Sequence, residues 1–145
     1  MLIGEYIHTI DEKNRISLPV KFRKEMGKSI VVAPGLDNCL FLFTIKGWEK
    51  FSEHLSSDTS LMQADNRSFN RYMFGQATQI DVDSLGRILI PDILKNKVGL
   101  SQKAAVVGVQ NRVEIWNESA WNKYKKVVEK EADALAEKLG KAGII

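Results

Sequence analysis

The sequence predicts an α+β protein whose two halves build one shared core, and three observations support this prediction. The chain has 145 residues, of which 44% are hydrophobic and 27% charged, a balance typical of globular proteins. Its two halves repeat one another in sequence. A half of about 70 residues is only marginally stable alone, which favours two copies packed as one intertwined unit.

The repeat begins with a motif of nine residues. Residues 11–19 read DEKNRISLP and residues 83–91 read DSLGRILIP, so aspartate, arginine, isoleucine and proline recur 72 positions later (83 − 11). Further along, residues 30–32 align with 105–107, and residues 40–44 align with 113–117. Matches that keep one order along most of each half indicate an internal duplication.

The elements of each copy follow from local sequence. β-Prone runs predict short strands at residues 16–18, 30–32 and 40–43 of the first copy. Proline at the first helical position, two apolar residues four apart and a closing glycine predict a helix of about two turns. Those apolar pairs are Phe22 with Met26, and Leu94 with Val98. The predicted order is strand, turn, strand, short helix, strand, strand, helix.

A longer helix is expected at the end of each copy. Thr44 and Asn117 are suitable N-caps for helices that carry Trp48 and Trp121. The last helix has an apolar stripe, which packs either on its own domain or on a partner subunit. The stripe consists of Trp121, Tyr124, Val128, Ala132, Leu135 and Leu139.

The predicted domain organisation has three segments. A first repeat spans residues 1–60, and a linker helix spans residues 61–76. The second repeat, with the C-terminal helix, spans residues 77–145. The linker is predicted to be helical because Phe69, Tyr72 and Met73 fall on one helical face.

Several functional classes are disfavoured by composition. The single cysteine, Cys39, lies in an apolar run that predicts a core position, and His8 and His54 lack ligand-spaced partners, so we expect neither a metal nor another cofactor. No apolar run is long enough for a membrane span, and the start lacks the pattern of a signal peptide, which predicts a cytoplasmic protein. The net charge of +3 and the pI near 9.0 permit nucleic-acid binding.

The repeated motif predicts a tight β-hairpin with a paired arginine. Asn14 and Gly86 precede the two arginines, and these residue types tolerate a left-handed backbone best. Asp11 with Arg15, and equally Asp83 with Arg87, form either a hairpin salt bridge alone or a clamp that orients the guanidinium toward a phosphate or a guanine edge. At the turn tips, Lys13 of the first copy is able to add a phosphate contact, whereas Leu85 of the second is not.

These motifs, together with residues 113–116 (VEIW) and Trp121, resemble the MraZ family of bacterial regulators of the division and cell-wall gene cluster. The likeness extends from Gly4 to about Tyr124, although the family has glycine where this chain has Asn14. It implies tandem swapped-hairpin domains of the AbrB and SpoVT type, in which each copy completes the other's small β-barrel. It also implies a ring of about eight or more subunits that binds direct repeats in double-stranded DNA upstream of its own operon.

The resemblance implies a set of DNA-facing side chains. Carried onto this sequence, they are Arg15, Arg87, Lys13, Lys21 and Arg23. The same likeness implies that the protein associates with the nucleoid. We also expect that the protein is not an enzyme.

Two alternatives to a DNA-binding regulator remain open. In one, the repeat builds a ring and the arginines only bridge subunits. In the other, Asp81 and Asp83 form a carboxylate pair on one face of a strand, as an enzyme would need. Salt separates the first alternative from DNA binding, because phosphate contacts weaken steeply as salt rises.

Overall fold

The structure is a computed structural model that describes residues 1–56 and 60–145. Residues 57–59, near the predicted end of the first repeat, lie outside this description. The strands are β1 (Leu2–Thr9), β2 (Arg15–Ser17), β3 (Ser29–Pro34), β4 (Leu40–Thr44), β5 (Thr78–Asp81), β6 (Arg87–Leu89), β7 (Lys103–Gln110) and β8 (Val113–Asn117). The α-helices are α1 (Val20–Met26), α2 (Ile45–Leu55), α3 (Ala64–Gly75), α4 (Asp92–Lys97) and α5 (Glu118–Lys141), and a 3₁₀ turn covers Ser60–Met62.

The two copies are intertwined through one antiparallel sheet. Its strand order is β1-β7-β8-β4-β3-β5, so β1 of the first copy pairs with β7 of the second, and β5 pairs with β3. At the centre, β4 pairs with β8, and Phe41 lies opposite Glu114. Each copy therefore lends its first strand to the other, which confirms the mixed α+β class and the shared core.

The predicted β-barrel is not closed. Within the described chain, β1 and β5 are the outer strands of the sheet. The hairpin strands β2 and β6 leave the sheet and pair with each other as a separate two-stranded ribbon. In the part of the chain that the structure describes, an isolated bridge from Ile10 to Ile16 continues the pairing from β1 toward the ribbon. Because the short strands pair across the two copies, the large sheet stays open.

The helix starts agree with the sequence except for the prolines. Pro19 and Pro91 have ψ angles of 137° and 138°, so they precede the helices as N-cap residues and do not occupy the first helical position. The predicted caps of the longer helices are confirmed. Thr44 Oγ1 accepts the N–H of Gly47 at 2.9 Å, and Asn117 Oδ1 accepts the N–H of Ala120 at 3.0 Å.

Two apolar clusters lie on opposite faces of the sheet. One joins the sheet to the ribbon and to the short helices, and it includes both predicted helical pairs. The other lies under α2, α3 and α5 and is rich in aromatic rings. Its buried members are Ala33, Cys39, Phe41, Phe43, Met73, Ala105, Val107 and Trp116.

One strand alignment between the copies was wrong by a single residue. Ile30 pairs with the cap Thr44, and Ala104 pairs with the equivalent cap Asn117, so residues 30–32 correspond to 104–106 and not to 105–107. Side chains alternate between the faces of a strand, so a shift of one residue assigns each side chain to the wrong cluster. Ala104 faces the same cluster as Ile30, whereas Ala105 faces the other.

The linker and the C-terminal helix pack on the aromatic side. Met73 of α3 is buried, and Phe69 and Tyr72 pack against the same cluster. At the start of α5, the rings of Trp121 and Tyr124 lie 5.3 and 4.8 Å from the ring of Trp116. The distal residues of the α5 stripe, including Leu135 and Leu139, are exposed. None of the helices in the described part has the length and apolarity to cross a membrane.

Candidate nucleic-acid interface

The ribbon of β2 and β6 brings the two arginine motifs to one surface. Arg15 lies opposite Leu89, and Ser17 lies opposite Arg87. The central pair, Ile16 and Ile88, is buried in the core. Side chains alternate across a strand, so both arginines project from the face that is turned away from the core. Arg15 and Arg87 are therefore diagonal neighbours on one two-stranded surface.

In the first hairpin, hydrogen bonds of the turn and of the Asp11 carboxylate hold the arginine in place. The N–H of Asn14 donates to the carbonyl of Asp11 at 3.0 Å, which closes the turn, and the φ of Asn14 is 62°. Asp11 Oδ2 accepts Arg15 Nε at 2.8 Å, while Oδ1 accepts the backbone N–H groups of Arg15 and Lys13, both at 2.9 Å. Among the described residues, the carboxylate bonds to Nε, which leaves the terminal guanidinium nitrogens for another acceptor.

The second hairpin repeats this geometry closely. Gly86 has a φ of 79°, and its N–H donates to the carbonyl of Asp83 at 2.9 Å. Asp83 Oδ2 accepts Arg87 Nε at 2.8 Å, and Oδ1 accepts the N–H groups of Arg87 at 2.8 Å and Leu85 at 2.9 Å. The same sequence motif in the two copies therefore folds into the same clamp.

The clamps keep their aspartates ionised. The backbone N–H of Arg15 has the largest effect and lowers the pKa of Asp11 below its ordinary value; burial opposes this effect in part, and the Arg15 side chain adds to the lowering. Arg87 acts in the same way on the pKa of Asp83. Near neutral pH both carboxylates are charged acceptors, so both guanidinium groups stay oriented.

The turns also bond to the opposite copy. The N–H of Leu18 donates to the carbonyl of Gly86, and the N–H of Ile90 donates to the carbonyl of Asn14, each at 2.9 Å. These two bonds extend the β2–β6 pairing at its ends. The distance between the two hairpins is thus fixed by main-chain hydrogen bonds.

The remaining predicted residues differ in their surroundings. Lys13 is exposed at the first turn tip, and Lys21 is exposed on α1. Lys13 and Arg15 line an open groove of about 570 Å³ beside the first hairpin, together with Lys103 of the second copy. Arg23 is half-buried, and its Nε donates to the carbonyl of Leu18 at 2.9 Å.

Two residues near the first turn were missed by the sequence reasoning. Asn14 Oδ1 accepts Lys95 Nζ at 2.7 Å, and Asn14 Nδ2 donates to Asp92 Oδ1. Both partners belong to α4 of the second copy. A signal for Lys95 did exist, because it stands 72 positions after Arg23 (95 − 23), the same spacing that separates the two motifs.

The carboxylate pair considered for an enzyme does not share a strand. Strand β5 ends at Asp81, and Asp83 lies in the following turn. Asp81 Oδ1 accepts the hydroxyl of Ser29 at 2.9 Å, whereas Asp83 is bonded to Arg87. The prediction that both carboxylates lie on one strand face is therefore wrong, because Asp83 belongs to the hairpin and not to strand β5.

The single cysteine is part of the core, as its apolar run predicts. Cys39 is buried, its Sγ donates to the carbonyl of Leu36 at 3.2 Å, and burial raises the pKa of its thiol well above the ordinary value. The thiol therefore stays protonated near neutral pH. In the ranges 1–56 and 60–145, no three histidine, cysteine, aspartate or glutamate side chains are grouped to hold a metal ion.

A family model matches this chain twice. The family is described as "MraZ protein, putative antitoxin-like", and the matches cover residues 1–72 and 73–140. The two matches meet within α3 and so divide the chain into halves that each contain one arginine hairpin.

Curated relatives align over almost the whole chain. A protein of Moorella thermoacetica is 43% identical over 139 residues, which is 96% of each chain. One of Caldanaerobacter subterraneus subsp. tengcongensis is 40% identical over 139 residues, again 96% of each. One of Acetivibrio thermocellus is 38% identical over 144 residues, 99% of this chain and 100% of the relative. All three are named "Transcriptional regulator MraZ".

Proposed function

The chain belongs to the MraZ family, and we propose that it is a transcriptional regulator that binds double-stranded DNA through its two hairpins. One observation carries the proposal: both copies clamp an arginine to an aspartate in the same geometry, on one face of one ribbon. A surface salt bridge contributes little to stability, which is a weak reason to build it twice. Orientation of a donor for a ligand is a stronger one.

The chemistry of the clamp suits a nucleic acid. An arginine fork donates two parallel hydrogen bonds, which match a phosphate or the O6 and N7 atoms of guanine. Holding Nε in advance lowers the entropy lost when the fork binds. A two-stranded ribbon is also narrow enough to enter the major groove of B-form DNA.

Further cations lie at the hairpins and on α1. Lys13 at the exposed tip and Lys21 on α1 would contact phosphates and so position the ribbon without reading sequence. Arg23 reaches the second hairpin and would add a further donor there. Leu85, at the tip that corresponds to Lys13, supplies no charge, so the two hairpins would contribute unequally.

The target and the assembly follow from the family likeness. We propose that the protein binds direct repeats upstream of its own operon and regulates the division and cell-wall gene cluster at the nucleoid. A closed ring of about eight or more subunits would present several ribbons to successive repeats. Weak single contacts then sum to tight binding when the spacing of the repeats matches the spacing of the ribbons.

A gel-shift titration tests this function. The probe is the DNA upstream of the protein's own gene, and the control is the same DNA with its repeats scrambled. We expect tighter binding to the native repeats and a steep loss of affinity with salt, at a log–log slope of about −0.9 per phosphate contact. Equal affinity for both probes would reject sequence-specific regulation.

The assembly alternative predicts a different result. If the arginines served only to bridge subunits, the protein would form its ring without retaining either DNA probe at any salt concentration. Size-exclusion chromatography in the same buffers measures the ring independently of DNA. A ring that forms in the absence of any DNA binding would replace the regulator with a structural protein.

A further inference from the structure

The short helices α1 and α4 each send a cation to the hairpin of the opposite copy. Arg23 of the first copy reaches the turn at Gly86, and Lys95 of the second copy reaches the turn at Asn14. The two cations occupy equivalent positions, 72 residues apart (95 − 23). The exchange is reciprocal, because it follows the same approximate two-fold relation that pairs β2 with β6.

At the second hairpin, the cation lies directly on the turn. A Cβ atom at Gly86 would meet Arg23 Cζ at 2.5 Å and Cδ at 2.7 Å, so the missing side chain makes room for the arginine. Arg23 Nε is fixed by the carbonyl of Leu18, a residue whose own N–H bonds to Gly86. The guanidinium of Arg23 thus lies against the turn of the hairpin that presents Arg87.

At the first hairpin, an amide takes the corresponding space. Asn14 is the residue of the first turn that corresponds to Gly86, and its Oδ1 accepts a hydrogen bond from Lys95 Nζ at 2.7 Å. Asp92, one turn earlier on α4, accepts the other end of the same amide. An ammonium has three donors, and the bond to Asn14 uses one of them.

We propose that Lys95 is a further DNA-contacting residue, which brings to the first hairpin the cation that Arg23 brings to the second. The inference rests on the proposed DNA binding of the hairpins. Each DNA surface is then a composite, with an aspartate and an arginine from one copy and a supporting cation from the other. The partner atoms are phosphate oxygens, because an ammonium on a flexible stem acts as a point charge and reads no base pattern.

The composite arrangement joins DNA binding to the intertwining of the copies. Neither half of the chain carries a complete surface, because the supporting cation of each hairpin comes from the other half. The two surfaces are also unequal. The first has Lys95 beside the Asp92 carboxylate, whereas the second has Arg23, and the residue that corresponds to Asp92 is the uncharged Val20.

The test compares Lys95→Ala with the unchanged protein in salt titrations on native and scrambled DNA. A lost phosphate contact weakens binding to both probes by about the same factor and makes the log–log salt slope shallower by about 1 for each ribbon that is bound. Lys95→Arg keeps the charge and should retain the slope. Arg23→Ala should make the slope shallower by a similar amount, and the double variant by about 2 for each bound ribbon.

Two controls separate contact from structure. Lys97→Ala removes the same charge from the same helix, but Lys97 lies over the ring of Tyr72 at 4.7 Å, away from the hairpins, so its slope should not change. Asn14→Gly removes the bonding partner of Lys95 and keeps the ammonium. If Lys95 acted only by holding Asn14, Asn14→Gly would reproduce the loss seen in Lys95→Ala.

The outcomes are distinct. A shallower slope in Lys95→Ala, with the native slope in Lys97→Ala and a smaller change in Asn14→Gly than in Lys95→Ala, supports the inference. Equal changes in Asn14→Gly and Lys95→Ala overturn it. A native slope in Lys95→Ala, while Arg15→Ala loses binding, overturns the inference and leaves the proposed function intact. If the unchanged protein retains neither probe, the proposed function fails and the role of Lys95 fails with it.

Discussion

The two arginine hairpins have the same clamp and different turns. In each, an aspartate accepts the Nε–H of an arginine four residues later, at the same distance of 2.8 Å. The turn residue is Gly86 in one hairpin and Asn14 in the other, and the opposite copy supplies a different partner to each. The clamp is thus set by local sequence, whereas the surroundings of the turn are set by the other copy.

This difference has a physical consequence for substitutions. The turn at Gly86 lacks a Cβ atom because the Arg23 side chain fills that space. The turn at Asn14 has room for a side chain and bonds it to Asp92 and Lys95. Similar motifs therefore tolerate different residues at the same turn position.

Removal of a clamped arginine should have the largest effect on DNA binding. Arg15→Ala is expected to abolish or severely reduce affinity for the upstream DNA, since the oriented donor fork is lost, while folding and assembly stay nearly intact. Arg15→Lys, which keeps the charge without the fork, should recover only the non-specific part. Gel shifts measure the affinity, and circular dichroism with size-exclusion chromatography measures fold and assembly.

Arg87→Ala tests the second hairpin in the same assay. Its loss of affinity should be smaller than that of Arg15→Ala, because the first hairpin also presents Lys13 where the second has Leu85. Unchanged affinity in Arg15→Ala would remove the first hairpin from the interface.

Loss of a central aromatic ring should have the largest effect on stability. Phe43 and Trp116 occupy equivalent positions in the two copies, and each is 3% exposed. Truncation of Trp116 to alanine should destabilise the fold by about 3 to 5 kcal/mol, the usual cost of emptying a buried aromatic position. Trp116 Nε1 also donates to Glu114 Oε1 at 3.1 Å.

Urea unfolding of Trp116→Ala and Phe43→Ala, side by side, provides the measurement. The two variants should lose similar stability if the copies share one core equally. A Trp116→Ala protein with the native unfolding midpoint would show that the indole does not support the core.

Exchange of the turn residues should have an intermediate effect. Gly86→Asn introduces a residue type that tolerates the φ of 79°. Its Cβ atom nevertheless displaces Arg23 and breaks the bond from Arg23 to the carbonyl of Leu18, which should lower the stability of the fold by about 1 to 2 kcal/mol. Asn14→Gly should change stability by less than about 0.5 kcal/mol, because an easier left-handed backbone offsets the lost side-chain bonds. Thermal unfolding of both variants distinguishes the turns, and equal destabilisation would contradict the difference drawn between them.

The smallest effect concerns pH. Burial, and after it the cation of Arg23, lower the pKa of His8 below its ordinary value, whereas the equivalent residue in the second copy is Ile80. The unfolded chain therefore takes up this proton more readily. Stability is complete above the ordinary histidine pKa and decreases as the pH falls through it toward the folded value.

His8→Gln should remove that decrease. Over the same range the aspartates of both clamps remain charged, since their pKa values are lowered. Urea midpoints at neutral pH and about one pH unit below the ordinary histidine pKa measure the difference. An identical pH dependence in His8→Gln and the unchanged protein would exclude His8 as its source.

Local patterns predicted more of this molecule than long-range pairing. The hairpins, the caps Thr44 and Asn117 and the short amphipathic helices follow from neighbouring residues, and the structure contains them. The prediction of a closed barrel was wrong. Closure of a barrel depends on which distant strands pair, and β2 and β6 pair with each other. The alignment slip at residue 105 arose because alanine and valine fill both faces of β7, so no alternation marks its register.

The surroundings of the hairpins needed the fold as well. The position of Lys95 beside Asn14 depends on the crossing of the two copies, which neither segment specifies alone. The spacing of 72 residues made Lys95 equivalent to Arg23, but it did not show that each cation serves the opposite hairpin.

Site-directed cleavage of bound DNA measures whether both hairpins face the duplex. A cysteine at position 13 (Lys13→Cys) or 85 (Leu85→Cys) places an iron chelate at one exposed turn tip, while Cys39 is 1% exposed and stays unlabelled. Lys97→Cys, on the far side of α4, is the control. If both hairpins face DNA, each tip will cut the upstream duplex at its own defined position and the control will not. Retained DNA that neither tip cuts, or that the control cuts instead, would contradict the account.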